Sequence, residues 1–304
     1  MKIAWMEAKL SGEPKKSSVS MNIRNAHYFD EIFGCDMLFS IANMREHIGD
    51  KYDVIFVGYS TRYSAYKQEV EFLDAHKNSV LIYVSTEYGN QLPACLSITK
   101  RQFVLLANYE SLPKHMESWT GLKKHLFANI NVLTYDDEKR SAKKTFDVIY
   151  YGQFRPDRAE YLISANWKNV TFSTSKKNVR EWASVGVFGF KWIDPLNWEN
   201  GYETLAQYRK SLYFEDRYTH TNYNCLANRF YEAIKCDVLP MIHSSCEGTI
   251  LRSGYHVPTE LIWSSFSEMD KVRYSSGLLQ LLRVQASSEK ARVQNEIVNL
   301  IGGL

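Results

Sequence analysis

Short apolar runs alternate with amphipathic stretches along most of this chain. Apolar runs of this kind are typical of strands that are buried on both faces of a sheet, and apolar positions three or four residues apart predict helices. In the first half the pattern predicts strands at Met1–Met6, Asp53–Gly58, Val80–Val84 and Phe103–Leu106. It predicts helices at Met21–His47, with a break near Gly34, and at Tyr63–His76.

The same alternation returns in the second half after a weaker stretch between Tyr88 and Lys144. The predicted strands are Phe146–Tyr151, Val170–Phe172, a short strand after Ser211, and Val238–Ile242. The predicted helices are about Asp157–Ser164, Lys177–Ala183, Tyr202–Ser211, Asn224–Lys235, and Phe266–Leu300 with a break near Ser287. We therefore expect an α/β protein with two similar-sized halves, each built on a parallel sheet, that face each other across a cleft.

Length, charge and cysteine content indicate a two-domain globular protein without a metal site built from cysteines. A chain of 304 residues with 45% hydrophobic residues can form two domains, and the boundary is expected close to the strand at Phe146. The net charge of +3 is small, so any nucleic-acid contact must come from local basic patches. Five scattered cysteines without metal-ligand spacing indicate free thiols. With no membrane-length apolar run and no signal-peptide pattern, we expect a cytoplasmic protein.

The segment Ala142–Glu160 reads as a phosphate-binding turn. A buried-type strand ends at Gly152, where backbone N–H groups can approach an anion closely, and a helix is predicted to follow. Arg155 and Arg158, three residues apart, would lie on one face of that helix, and guanidinium groups suit phosphate oxygens. An ordinary strand-to-helix turn with two surface arginines is the alternative interpretation.

A second candidate group lies on the helix before the Val238–Ile242 strand. Arg229 and Glu232 are three residues apart, so a cation and a carboxylate can reach one ligand together. The preceding segment, Asp216–Asn222, is rich in polar and aromatic residues that suit a binding loop. The alternative is an ion pair on the helix surface, which is common and contributes little to stability.

Glu87 is the best candidate for a catalytic base because it lies just past the end of a buried-type strand. A solvated loop glutamate is the alternative. His27, His220 and His243 could lie near the cleft, although a lone histidine is more often structural. The sequence has no serine-hydrolase, zincin, EF-hand or P-loop motif, and no cluster of metal ligands, so we expect no bound metal.

These motifs together resemble the DNA β-glucosyltransferases of T-even bacteriophages. Lys143–Arg155, KKTFDVIYYGQFR, follows the basic segment that opens the second domain in that family, with Gln153 in place of a serine. Arg158 takes the place of the family's second arginine, and Arg229–Glu232 resembles its phosphate- and ribose-binding helix. Glu87, in YVSTE, matches the position of the catalytic aspartate. The uracil pocket matches more weakly, with Ile193 in KWIDP resembling the family's segment. The family's sugar-contacting glutamate has no match, and Asn22, Arg24 and Asn25 occupy its region.

The resemblance implies a GT-B fold with two Rossmann-like domains. Residues 1–144 would bind the DNA acceptor, and residues 145–304 would bind a UDP-sugar, with the last helix crossing back. It further implies that Arg155, Arg158 and Arg229 neutralise the diphosphate, Gly152 and Gln153 line it, and Glu232 holds the ribose. Glu87 would deprotonate the hydroxymethyl group of a flipped-out 5-hydroxymethylcytosine for inverting transfer.

The expected partners are double-stranded DNA that contains hydroxymethylated cytosine and a UDP-sugar as co-substrate, with no tightly bound cofactor. We expect a monomer in the cytoplasm of an infected bacterial cell. The sequence does not decide between glucose and arabinose as the sugar, or whether Mg²⁺ assists the reaction. Two other functions remain possible. One is a GT-B transferase for a glycan, protein, small molecule or already glycosylated base; the other is a non-catalytic DNA- or nucleotide-binding relative.

Overall fold

The protein is described here by a computed structural model. The described residues are 1–7, 21–58, 66–85, 92–108, 116, 118–136, 138, 140–162, 169–198, 201–222, 225–265, 268 and 271–303. The chain forms two compact units, one made of Met1–Leu133 with Ala291–Leu304 and the other of Thr134–Lys290.

The predicted α/β architecture is confirmed. Each unit contains a parallel sheet with six strands in the described part of the chain. The first sheet has the order β2-β1-β3-β4-β5-β6, with β1 Ile3–Met6, β2 Cys35–Leu38, β3 Val54–Val57, β4 Val80–Ser85, β5 Phe103–Ala107 and β6 Leu122–Phe127. The second has the order β12-β11-β10-β7-β8-β9, with β7 Phe146–Tyr151, β8 Val170–Ser173, β9 Lys191–Ile193, β10 Tyr208–Tyr213, β11 Leu239–His243 and β12 Ile262–Trp263.

Helices connect most of these parallel strands, as right-handed crossovers require. In the first unit they are α1 Met21–Phe33, α2 Ile41–Glu46, α3 Tyr66–Ala75 and α4 Ala94–Thr99. In the second they are α5 Pro156–Glu160, α6 Lys176–Ser184, α7 Gly201–Ala206, α8 Arg217–Asn222, α9 Asn228–Lys235 and α10 Glu247–Ser253. The last helix, α11 Ser276–Gly302, begins in the second unit and ends in the first.

Two predicted helices contain strands instead. The break expected near Gly34 in the Met21–His47 helix is confirmed, since α1 ends at Phe33 and Gly34 adopts a φ of +65°. Cys35–Leu38 then pairs with β1 as an edge strand. The helix expected over Tyr202–Ser211 is likewise wrong beyond Ala206, because residues 208–211 belong to β10 in the middle of the second sheet. Sheet pairing outweighs helix propensity at both places.

At two other places the structure has a helix where the sequence predicted a break or a loop. The break expected near Ser287 is absent, since α11 runs through it and the Ser287 hydroxyl donates to the Arg283 carbonyl at 3.0 Å. Asp216–Asn222, expected as a loop, is largely the short helix α8. The helix expected over Asp157–Ser164 is observed only as α5, five residues long, and Ser164 lies outside the described residues.

The cores lie between the sheets and their helices. In the first unit the rings of Trp5, Phe29 and Phe56 pack against one another in tilted and edge-to-face contacts between α1 and the sheet. The five cysteines are free and buried. Among the described helices, none has the length and apolar character that a membrane span needs.

Candidate functional site

The second sheet has a topological switch point between β7 and β10. From β7 the chain adds β8 and β9 on one side, and it later adds β10, β11 and β12 on the other. Crossover connections therefore leave opposite faces of the sheet at this point, and open α/β sheets bind ligands in the resulting crevice at the carboxyl ends of the strands. Gly152 follows β7 there, and Glu215 follows β10.

A buried group of charged side chains occupies this crevice. Glu215 lies between two arginines: one carboxylate oxygen accepts from Arg158 and the other from Arg229. The three side chains are buried, with 5% of Glu215 and 8% of each arginine exposed. Arg158 also lies 3.4 Å from the Asp216 carboxylate. We call Arg158, Glu215 and Arg229 the arginine–glutamate cluster.

The charges balance when Asp216 is counted with this cluster. Burial alone would raise the pKa of Glu215, but the guanidinium groups of Arg229 and Arg158 outweigh it and hold that pKa below its ordinary value. Burial also opposes ionisation of Asp216, whose pKa is nevertheless lowered by hydrogen bonds from Thr219 and by Arg158. Two guanidinium groups thus face two carboxylates, and an incoming anion must compete with protein carboxylates for the arginines.

Arg229 joins the two strands of the switch point. Its guanidinium donates to the Tyr151 carbonyl at the end of β7 and to the Phe214 carbonyl just after β10, both at 3.1 Å. Gly152 makes this approach possible, because a Cβ atom at that position would lie 2.6 Å from Arg229 Nη1 and 3.0 Å from the Tyr150 hydroxyl. The glycine that the sequence pattern singled out therefore makes room for a side chain of α9.

The two arginines expected as a pair on one helix face are in different environments. Arg155 precedes α5 as its N-cap residue and is exposed, whereas Arg158 is inside the helix and buried. Gln153 has an exposed side chain, and its carbonyl accepts from Arg158 at 3.3 Å. Because α5 has only five residues, its dipole adds little to anion binding, and the guanidinium groups supply the positive charge.

Arg229 and Glu232 are both buried, so the surface ion pair considered as the alternative is wrong. Glu232 has no exposed surface, and its Oε1 accepts from Asn228 Nδ2 at 2.9 Å. The hydrogen bonds of Arg229 go instead to Glu215 and to the ends of β7 and β10. The two residues share α9, but each contacts different neighbours.

Ile193 lies at the end of the edge strand β9. Its side chain is half-buried against the aromatic cluster that includes Tyr151, Trp198 and Tyr202. Its carbonyl accepts from the Thr174 amide at 3.2 Å. Ile193 therefore borders an apolar patch beside the end of β7, which is the kind of surface that a flat ring can cover.

Two histidines lie near the arginine–glutamate cluster. His220 Nε2 accepts from the Glu215 amide at 3.2 Å, which fixes the backbone of the central carboxylate. Burial lowers the pKa of His220, and burial together with His220 lowers the pKa of His243 to about 4. Both rings are therefore neutral at physiological pH and serve as hydrogen-bonding groups.

The remaining predicted residues belong to the first unit. Glu87 lies outside the described residues, and β4, the strand before it, ends at Ser85. Arg24 and Asn25 are buried in α1. Arg101 donates to the carbonyls of residues 73, 77 and 79 with distances of 2.7, 3.1 and 2.6 Å, so its guanidinium holds the protein together and is not free for DNA.

Glu215 is the residue that sequence reasoning missed. A usable signal existed, since Glu215 and Asp216 directly follow a strand of the type that ends at a ligand-binding edge. The signal was weak because residues 208–211 read as a helix, which left only a short strand after Ser211 with no predicted end.

The two units together have the GT-B glycosyltransferase fold. Solved structures of this fold match the chain along its whole length, although sequence identity is low. The crystal structure of the DNA-modifying enzyme β-glucosyltransferase, studied with and without uridine diphosphoglucose, has a TM-score of 0.73 at 16% identity and covers 99% of this chain and 100% of its own.

T4 phage β-glucosyltransferase in complex with UDP-glucose gives a TM-score of 0.70 at 14% identity, covering 100% of this chain and 98% of its own. The same phage enzyme with UDP and Mn²⁺ gives 0.68 at 14% identity and covers 99% of both chains. No family model matches the sequence. No curated protein matches it either.

Proposed function

We propose that this protein is a glycosyltransferase that moves a sugar from a UDP-sugar to the hydroxymethyl group of 5-hydroxymethylcytosine in duplex DNA. The observation that carries the proposal is the convergence of Arg158 and Arg229 at the switch point of a GT-B sheet. The similar phage enzymes are DNA-modifying and bind UDP-glucose, which supports the choice of donor and acceptor.

The donor binds in the second unit, within residues 145–304. Its diphosphate takes the places that the Glu215 carboxylate oxygens hold on the two arginines, and exposed Arg155 adds a third positive charge at the rim. Gly152 and Gln153 line the diphosphate, Glu232 accepts from the ribose hydroxyls, and Ile193 borders the uracil. A divalent cation would relieve the repulsion between the diphosphate and the carboxylates of Glu215 and Asp216, and a similar enzyme binds UDP with Mn²⁺.

The acceptor binds in the first unit, within residues 1–144. Glu87 removes the proton from the hydroxymethyl group of a base that has been flipped out of the duplex. The oxygen then forms a bond to the anomeric carbon from the face opposite the diphosphate, and the bond between that carbon and the diphosphate breaks. Configuration is inverted, and UDP leaves with charge stabilised by the arginines.

DNA backbone contacts come from exposed lysines of the first unit. Lys123 and Lys124 lie on β6, the edge strand, with exposed side chains, and Lys100 follows α4. We propose the same role for Lys9, Lys15 and Lys16, which lie outside the described residues. We propose that the enzyme acts as a monomer in the cytoplasm of an infected bacterium, and that DNA binding weakens with salt.

The test is mass spectrometry of nucleosides from duplex DNA that contains hydroxymethylcytosine, after incubation with the protein and either UDP-glucose or UDP-arabinose. A hexose or pentose increment on the modified cytosine is expected, and it should be lost with the Arg229→Ala variant. No increment with either donor, despite measurable UDP binding, would overturn the assignment of the acceptor.

A further inference from the structure

The peptide unit between Phe214 and Glu215, directly after β10, is hydrogen-bonded at both ends. Its carbonyl accepts from Arg229 Nη2 at 3.1 Å, and its N–H donates to His220 Nε2 at 3.2 Å. The carbonyl and the N–H of a trans peptide unit lie in one plane and point in opposite directions. The ring nitrogen of His220 therefore sets the orientation of the carbonyl that holds Arg229 on the other side.

His220 is itself held from several sides in the last turn of α8. Its carbonyl accepts from Thr249 Oγ1 at 3.3 Å and from the guanidinium of Arg252, and both residues belong to α10. Its amide donates to the Asp216 carbonyl at 3.1 Å. Its ring is buried and lies 6.1 Å from the Tyr161 ring in an edge-to-face contact. These contacts fix the place from which His220 reaches the peptide unit.

The neighbours of the ring determine where its proton is. His220 Nε2 faces the Glu215 amide, the Ser245 hydroxyl at 3.4 Å and the Cys246 thiol at 3.6 Å. An amide N–H can only donate, so Nε2 must be the nitrogen without a proton, and the neutral ring carries its proton on Nδ1. Burial lowers the pKa of His220, which keeps the ring neutral.

The choice of nitrogen has a visible cost. His220 Nδ1 is buried and has no hydrogen-bond partner within the described residues. A proton on Nε2 would be no remedy, because Nε2–H would point at the Glu215 N–H and leave that buried amide without an acceptor. The geometry therefore favours the bond to the peptide unit over the pairing of Nδ1.

We propose that His220 is a positioning residue of the donor site. With its proton on Nδ1, it holds the peptide unit between Phe214 and Glu215 so that this unit fixes the guanidinium of Arg229 for the diphosphate. His220 acts through the peptide unit, because charge-assisted bonds to a phosphate depend on where the guanidinium is placed. The proposal deepens the proposed function and rests on it for the diphosphate as ligand.

The experiment compares UDP affinities by calorimetric titration. His220→Leu leaves the buried Glu215 N–H without an acceptor, so UDP affinity should fall by about tenfold. His220→Gln carries a side-chain amide oxygen that can accept from the same N–H, so it should restore most of the affinity. A loss that came only from the missing ring would be shared by both variants.

Ser245→Ala is the matched control, because it removes the hydroxyl beside the same ring nitrogen and leaves the bond from the Glu215 amide in place. Its UDP affinity should equal that of the wild type. A second measurement needs no variant that might fail to fold. Nitrogen-15 NMR of histidine-labelled wild-type protein should show the Nδ1–H tautomer for His220, whose signal is identified by its loss in His220→Gln.

Three results would each overturn the proposal: unchanged UDP affinity in folded His220→Leu, equal losses in the Leu and Gln variants, or a proton on His220 Nε2 in the wild type. A wild-type protein that has the Nδ1–H tautomer but binds no UDP would contradict the proposed function alone.

Discussion

A carboxylate is buried at the carboxyl end of each sheet, and the two carboxylates have different hydrogen-bond partners. At the second sheet, Glu215 is held between Arg158 and Arg229, and the nearby Asp216 carboxylate completes the charge balance. At the first sheet, the buried Glu7 carboxylate instead accepts a hydrogen bond from the neutral Trp5 indole at 3.2 Å. The comparison teaches that an anion approaching the second sheet meets guanidinium groups that already have a carboxylate partner and must displace it.

Of the substitutions considered, removing Arg229 should have the largest effect on stability and on UDP affinity. Arg229→Ala leaves the buried Glu215 with one arginine, so we expect the free energy of unfolding to fall by about 3–5 kcal/mol. UDP affinity should fall by about a hundredfold, because a buried charged hydrogen bond to the diphosphate is lost. Denaturant unfolding and calorimetric titration with UDP measure the two effects.

The matched control is Arg217→Ala, which breaks an exposed ion pair with Glu160 at 2.6 Å. Its stability and its UDP affinity should stay near those of the wild type. If Arg229→Ala binds UDP as tightly as this control, the diphosphate lies elsewhere.

Neutralising Glu215 should distinguish its two effects, which are stabilising the fold without ligand and competing with the diphosphate for the arginines. Glu215→Gln leaves Arg158 and Arg229 without their shared counter-charge, so the melting temperature without ligand should fall. UDP should then raise the melting temperature more than it does in the wild type, because the diphosphate supplies the missing negative charge. A ligand-induced shift equal to that of the wild type would show that the diphosphate does not reach these arginines.

The same variant should change the dependence of stability on pH. The pKa of Glu215 is lowered by folding, so its contribution is present above its ordinary value of 4.5 and is lost as pH falls. The loss of unfolding free energy on acidification should therefore be shallower for Glu215→Gln than for the wild type. Parallel curves from denaturant titrations between pH 3 and about 6 would contradict this assignment.

Adding a methyl group at Gly152 should have a smaller effect. In Gly152→Ala the Cβ atom meets Arg229 Nη1, so the guanidinium must shift and UDP affinity should fall by about tenfold. Gly186→Ala is the control, because Gly186 has a φ of +86° and no atom within 4 Å of a new Cβ. The control should lose stability through backbone strain and keep its UDP affinity.

Sequence patterns predicted most of the architecture and three of the residues that meet at the candidate site. Gly152, Arg158 and Arg229 do converge at one sheet edge, because their motifs follow buried strands whose apolar runs are easy to read. Glu215 was missed because most of the strand before it read as a helix, so its place at the carboxyl edge of the sheet was not recognised. Arg155 and Arg158 have the three-residue spacing of one helix face, but the helix begins between them, so Arg155 is exposed and Arg158 is buried.

The first unit was harder to interpret for the same reason. Arg24 and Asn25 are polar residues on the buried side of α1, and their environment depends on the direction in which that helix crosses β1. The strand β2 was read as helix, which concealed this crossing.

A crystal structure of the protein with bound UDP tests the central claim most directly. The account predicts diphosphate oxygens within hydrogen-bonding distance of the guanidinium groups of Arg158 and Arg229, with the Glu215 carboxylate moved away from at least one of them. UDP bound away from these residues, with the arginine–glutamate cluster unchanged, would contradict it.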